Sequence, residues 1–151
     1  MINKYLIAIF TSLLLVGCGG ANSEFMVEVK NKNGGTEDLS LKELVDIHES
    51  NSAKFKSMYD DSDIVFTGTV KSVEGPYGSL TSYYQINFEE GIELLVIEGC
   101  QDDIVLQLSK GTKLKVDSHI QDISSRGILT VSSMHRIGGI DQDMSKLQII
   151  K

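Results

Sequence analysis

The side chains able to carry chemistry are few and scattered: three histidines, two cysteines and some short acidic clusters in 151 residues. His119 and His135 fall on two apolar-alternating segments, residues 113–120 and 128–137, which read as neighbouring strands joined by a turn at Ser124-Ser125-Arg126-Gly127. With the hairpin tip at Ser125, Val131 faces His119 and Lys115 faces His135. The imidazoles are then offset by four residues, roughly 13 Å at the rise of a strand, too far apart to share a metal ion. Asp141, Asp143 and Ser145 carry the alternating oxygens with which a calcium loop opens, but Lys146 stands where the sharp turn of such a loop needs glycine. Asp60, Asp61 and Asp63 come after a helical segment and read as its terminator. No G-x-S-x-G elbow, H-E-x-x-H pair, phosphate loop or G-x-G-x-x-G turn occurs. No catalytic residue, metal or cofactor is therefore assigned, and the chain reads as a binding protein, with an envelope enzyme as the third choice.

Aromatic residues offer a better lead. Tyr77, Tyr83, Tyr84 and Phe88 surround a turn with the sole proline, Pro76. Alternation turns Tyr84 and Phe88 inward and leaves Tyr77 and Tyr83 outside. Lys71 and Arg126 add positive charge nearby, so Tyr77, Tyr83, Lys71 and Arg126 form the candidate ligand surface. Lys113 and Lys115 read as a solvated strand face.

Charge narrows the partners. The formal net charge is −7, and no run of five basic residues occurs. Non-specific affinity for nucleic acid comes from Lys and Arg neutralising phosphates, so such a ligand is disfavoured. Broad adhesion to anionic headgroups is disfavoured for the same reason.

The start of the chain reads as a secretory signal. Lys4 precedes an apolar run over residues 5–16, too short for the ~20 residues of a membrane-spanning helix. Leu15-Val16-Gly17-Cys18 resembles the lipobox of bacterial lipoproteins. That resemblance implies cleavage before Cys18 and diacylglycerol on its sulfur, with fatty chains such as palmitate holding the protein on a membrane. Gly19, rather than Asp, comes after the cysteine. By resemblance to enterobacterial sorting this implies the outer membrane of the cell envelope, facing the periplasm. With Cys18 lipidated, Cys100 has no intramolecular partner and is expected to be buried and inert.

The elements that would position the ligand surface run from the amino end. Residues 1–17 are the signal peptide, and residues 18–38, rich in Gly and Asn, read as a flexible tether within which residues 25–29 alternate like a short edge strand. Residues 39–137 are the folded domain, opening on a helix over residues 40–59 whose Ser40 and Glu43 match the capping box. Five strands come next, near residues 64–73, 84–88, 92–97, 113–120 and 128–137, with a connector of one or two helical turns at residues 101–110. Residues 138–151 form a tail ending in the β-prone Leu147-Gln148-Ile149-Ile150.

Five strands with a connector between the third and fourth resemble the OB-fold barrel. More specifically, Tyr59, Val65-Phe66-Thr67-Gly68-Thr69-Val70, Val96 to Cys100 and Leu108-Ser109-Lys110-Gly111-Thr112-Lys113-Leu114-Lys115-Val116 resemble the anticodon-binding-like OB-fold family of bacterial secreted proteins and lipoproteins. That implies a mainly β fold, a five-stranded barrel with an N-terminal helix, in which Gly68 lets the first strand coil sharply. The resemblance carries no activity. The expected function is an envelope lipoprotein, anchored at Cys18, whose OB-fold module binds a protein, glycan or small molecule; an oligonucleotide-binding module is the alternative.

Overall fold

The computed structural model describes the backbone of residues 25–137, 140–143 and 146–151, and side chains among these except at residues 134–143. The chain is mainly β. A hairpin comes first, β1 Met26–Lys30 and β2 Thr36–Ser40. The tether expected over residues 18–38 therefore gives way to regular structure by Met26. Val27 and Val29 are buried, and β1 also pairs with the strand starting at Asp63, so this edge is bonded into the main sheet.

Ser40 begins the first helix, α1 Leu41–Ser50, as the sequence suggests. Its Oγ accepts from the Glu43 N–H, and Glu43 Oε2 accepts from the Ser40 N–H at 2.7 Å. The single helix expected over residues 40–59 is in fact two, because Asn51 ends α1 and caps α2 Ser52–Tyr59. Its side-chain oxygen accepts from the Lys54 N–H at 2.9 Å. Asn competes for backbone partners and favours such caps over helix interiors. Leu41, Leu44, Val45, Phe55 and Tyr59 bury one face of this pair. Among the described residues no helix is long and apolar enough to cross a membrane.

The long strand β3, Asp63–Tyr77, organises the rest of the sheet. Its first half pairs with β6 Lys113–Ile123 and its second half with β4 Tyr83–Phe88. Between them lies Gly68, where a Cβ would stand 2.5 Å from the Phe88 ring. β5 Ile92–Ile97 pairs with β4, and β7 Leu129–Ser132 lies parallel to β5 and antiparallel to β6. Pairing thus runs in a circuit, β3–β4–β5–β7–β6–β3. Ile64, Phe66, Val70, Tyr84, Ile86, Phe88, Ile92, Leu94, Leu114, Val116 and Leu129 are buried in the core. A short helix, α3 Asp102–Val105, fills the connector between β5 and β6.

Two register details depart from expectation. The hairpin centres on Arg126, not Ser125, since Ile123 faces Leu129 and Asp122 faces Thr130; an irregularity between Ile120 and Asp122 takes back one residue, so His119 faces Ser132, and Val131 faces Ile120. The fifth strand ends at Ser132 instead of running to residue 137. Fully buried Ser133 donates its N–H to the Leu95 carbonyl, and the chain then turns into a separate hairpin of β8 Met134–Ile137 and β9 Ile140–Asp143. The tail adds β10 Lys146–Ile150, antiparallel to β6.

Candidate binding face

Alternation sets the site. Along β4 the residues Tyr84, Ile86 and Phe88 are buried while Tyr83, Gln85 and Asn87 are half-buried on the other face; along β5 Glu93, Leu95 and Ile97 do the same. Register then stacks these residues, with members of β3, into three rows. Tyr77, Tyr83 and Ile97 form the first, Glu74, Gln85 and Leu95 the second, and Ser72, Asn87 and Glu93 the third. Rows two residues apart along a strand are separated by about 7 Å.

A hydrogen-bond chain ties the rows together. Gln85 Nε2 donates to Asn87 Oδ1 at 2.9 Å, and Asn87 Nδ2 donates to Ser72 Oγ at 2.9 Å and Glu74 Oε1 at 3.0 Å. Ser72 Oγ donates to Glu74 Oε1 at 3.1 Å, and the Tyr77 hydroxyl to Glu74 Oε2 at 3.2 Å. That last bond, with the Glu74 charge beside it, holds the Tyr77 hydroxyl above its ordinary pKa. The Tyr77 and Tyr83 rings lie 6.1 Å apart, tilted by 58°.

Beside the polar rows is an open cleft of about 210 Å³, lined by Lys71, Ser72, Glu74, Asn87, Phe88, Gly91, Ile92, Glu93 and Ile128. One ammonium and two carboxylates meet there. Glu90, on the adjoining turn, is already engaged, accepting the Thr69 N–H at 3.0 Å. The loop over residues 78–82 rises next to the aromatic row and carries Leu80 fully exposed at its tip. Gly78 opens that loop with a φ of 99°, and Gly75, with φ 109°, sits at the irregularity of β3 between Glu74 and Tyr77.

Of the four residues proposed from sequence, three gather here. Tyr77 is exposed, Tyr83 half-buried, and Lys71 lines the cleft. Arg126 sits exposed on the β6–β7 turn; that turn meets the cleft through Ile128 instead. Tyr84 and Phe88 are core, as alternation requires. Sequence reasoning missed Ser72, Glu74, Gln85, Asn87 and Glu93. The signal for Gln85 and Asn87 was present, since they occupy the positions between the inward aromatics of β4.

The other candidates lie apart from this face. Cys100 is exposed, not buried: β5 stops at Ile97, and Gly99 with φ 89° turns the chain outward before α3. His119 Nδ1 is 3.0 Å from Asp63 Oδ1, and His48 Nε2 is 3.8 Å from Asp122. Among the described residues no group of three His, Cys, Asp or Glu side chains could hold a metal ion. Asp141 and Asp143 lie on β9, paired in a hairpin with β8, while Ser145 falls outside the described residues. Leu15, Val16, Gly17 and Cys18 are also outside them. No family model matches the chain, and neither the curated proteins nor the solved structures contain a match.

Proposed function

We propose that the chain is a lipid-anchored envelope lipoprotein whose OB-fold module binds a ligand on the outer face of β3, β4 and β5. The OB-fold reading is supported by the circuit of five strands with its parallel β5–β7 closure, and by the helical connector between β5 and β6. OB folds bind over their second and third strands and the flanking loops. Here those are β4 and β5, the loop over residues 78–82 and the β6–β7 turn. The observation that carries the binding role is the three-row face itself, where prearranged polar groups adjoin a cleft and an aromatic pair. A concave patch with a few convergent polar groups is the usual form of a ligand site.

The anchor rests on the lipobox, Leu15-Val16-Gly17-Cys18, and the charged and apolar residues before it. Phosphate-rich ligands are disfavoured by a face with more carboxylates than cations. In bacteria fed labelled palmitate, the wild-type protein should carry label and sediment with membranes, while Cys18→Ser should lose both properties. A photo-crosslinking residue at Tyr83 should capture a ligand in intact cells, and one at Lys115, on β6 outside the three rows, should not. Unlabelled wild type would refute the anchor, and equal capture at both positions would refute the face.

A further inference from the structure

We propose that the ligand of this face is an uncharged oligosaccharide, an inference that rests on the binding-module reading above. The first row offers aromatic and aliphatic surface, Tyr77, Tyr83 and Ile97. The next two rows offer carboxamides and carboxylates at about 7 Å row spacing. A pyranose ring has the matching two-sided character, with C–H groups on its faces and hydroxyls around its rim. Tyrosines supply rigid contact area with a polar tip for such a ring. Sugar hydroxyls both donate and accept, as only a mixed set of partners can satisfy.

The set here is mixed and held in advance. Glu93 accepts, as does the remaining lone pair of Glu74 Oε2, and ionised acceptors make the stronger bonds to hydroxyl donors. Gln85 keeps one N–H and its carbonyl oxygen, while Asn87, whose two N–H bonds go to Ser72 and Glu74, offers its carbonyl oxygen as an acceptor. The internal chain fixes the orientations of Glu74, Gln85 and Asn87 before any ligand arrives, which lowers the ordering cost of binding. Charge argues against the rivals. Lys71 stands alone against Glu74 and Glu93 in the cleft, so a phosphodiester strand meets net repulsion. A basic peptide meets Lys71 beside these carboxylates, and Glu74 already accepts from Ser72, Asn87 and Tyr77.

The test is a titration of the isotopically labelled full chain, followed by amide and tyrosine-ring NMR, with three families of probes. The sugars are triacetylchitotriose, cellotetraose and maltotetraose; the others are an oligothymidylate and a lysine-rich peptide. At least one sugar should shift resonances of residues 72–77, 83–87 and 93–97, with an affinity that changes less than twofold between low and high salt. Tyr83→Ala and Asn87→Ala should each weaken it at least tenfold, with Lys115→Ala unchanged and all three variants retaining the wild-type circular dichroism. If only the oligonucleotide or the peptide shifts those residues, the sugar assignment falls and the face stands. If every probe leaves them unmoved, both fall.

Discussion

Gly68 on β3 lies flat against the Phe88 ring on β4, so close that a Cβ at Gly68 would stand 2.5 Å from Phe88 Cδ1. The ring in turn packs edge-on to Phe66 with centroids 5.3 Å apart, and it is 97% buried. The missing side chain therefore makes room where β3 passes from β6 to β4. Gly68→Ala should destabilise the protein by about 1–3 kcal/mol, the usual cost of an extra carbon in a packed core. Urea unfolding measures this. In a double-mutant cycle, Phe88→Leu should cancel part of the loss, because the clash involves only the ring.

The Ser40 cap carries a second, independent increment. Its side chain and backbone N–H are both bonded to Glu43. Ser40→Ala should cost about 1 kcal/mol and speed amide exchange in the first turn of α1, and Ser40→Asp should restore most of it. The same bonds, to the backbone first and the hydroxyl second, hold the Glu43 carboxyl below its ordinary pKa. A lowered folded pKa contributes stability that is present above the unfolded value of 4.5 and is lost as pH falls through the folded one. Glu43→Gln should flatten the acid limb of the stability curve between pH 5 and 3.

How far the sequence foretold this molecule depends on the range of the interactions. The cap at Ser40, the inward aromatics of β4 and the strand at Ile92–Ile97 are set by residues within a few positions of one another, and local pattern reveals them. The β1 edge, the break after Ser132 and the exposure of Cys100 depend on partners far along the chain. β1 is regular because it pairs with β3, some 37 residues away in the Glu28↔Val65 pair. Ser133 leaves the strand because Leu95 and Ile97 claim its backbone and hydroxyl. The candidate face was half legible for the same reason. Tyr77 and Tyr83 flank one turn, but the meeting of Ser72 and Glu74 with Asn87 needs the β3–β4 register, whose shifts at Val70/Ser72 and Glu74/Tyr77 no local pattern announces.

The alkaline side of the stability curve should belong to the tyrosines. Burial, then the Glu37 charge and hydrogen bond, push the Tyr59 hydroxyl up from 10.0. Burial, with Asp102 and Glu98 behind it, does the same to Tyr84. A raised folded pKa contributes stability that is full below the unfolded value and is lost as pH rises through the folded one. The midpoint of urea unfolding should hardly change from pH 7 to 9 on account of these groups and should fall above pH 10. Tyr59→Phe should shrink that fall, since the phenylalanine fills the same space and cannot ionise.

Gly78 offers a way to disturb the face without disturbing the core. Its φ of +99° lies in the left-handed region, and a Cβ there would stand 2.3 Å from the Thr81 carbonyl oxygen, a backbone atom that cannot swing aside. Gly78→Ala must therefore reshape the loop between Tyr77 and Tyr83. A non-glycine residue in such a conformation costs of order 1–3 kcal/mol, and an exposed loop can relieve this by moving. Global stability should drop by less than about 1 kcal/mol as the loop relaxes. The cross-strand contact between the two tyrosine rings should weaken, visible as lost ring-to-ring nuclear Overhauser effects and altered ring shifts. Any ligand that uses the aromatic row should then bind more weakly to Gly78→Ala, by a factor similar to that for Tyr83→Ala. Wild-type ring contacts in Gly78→Ala would show that the loop geometry does not set the spacing of the pair.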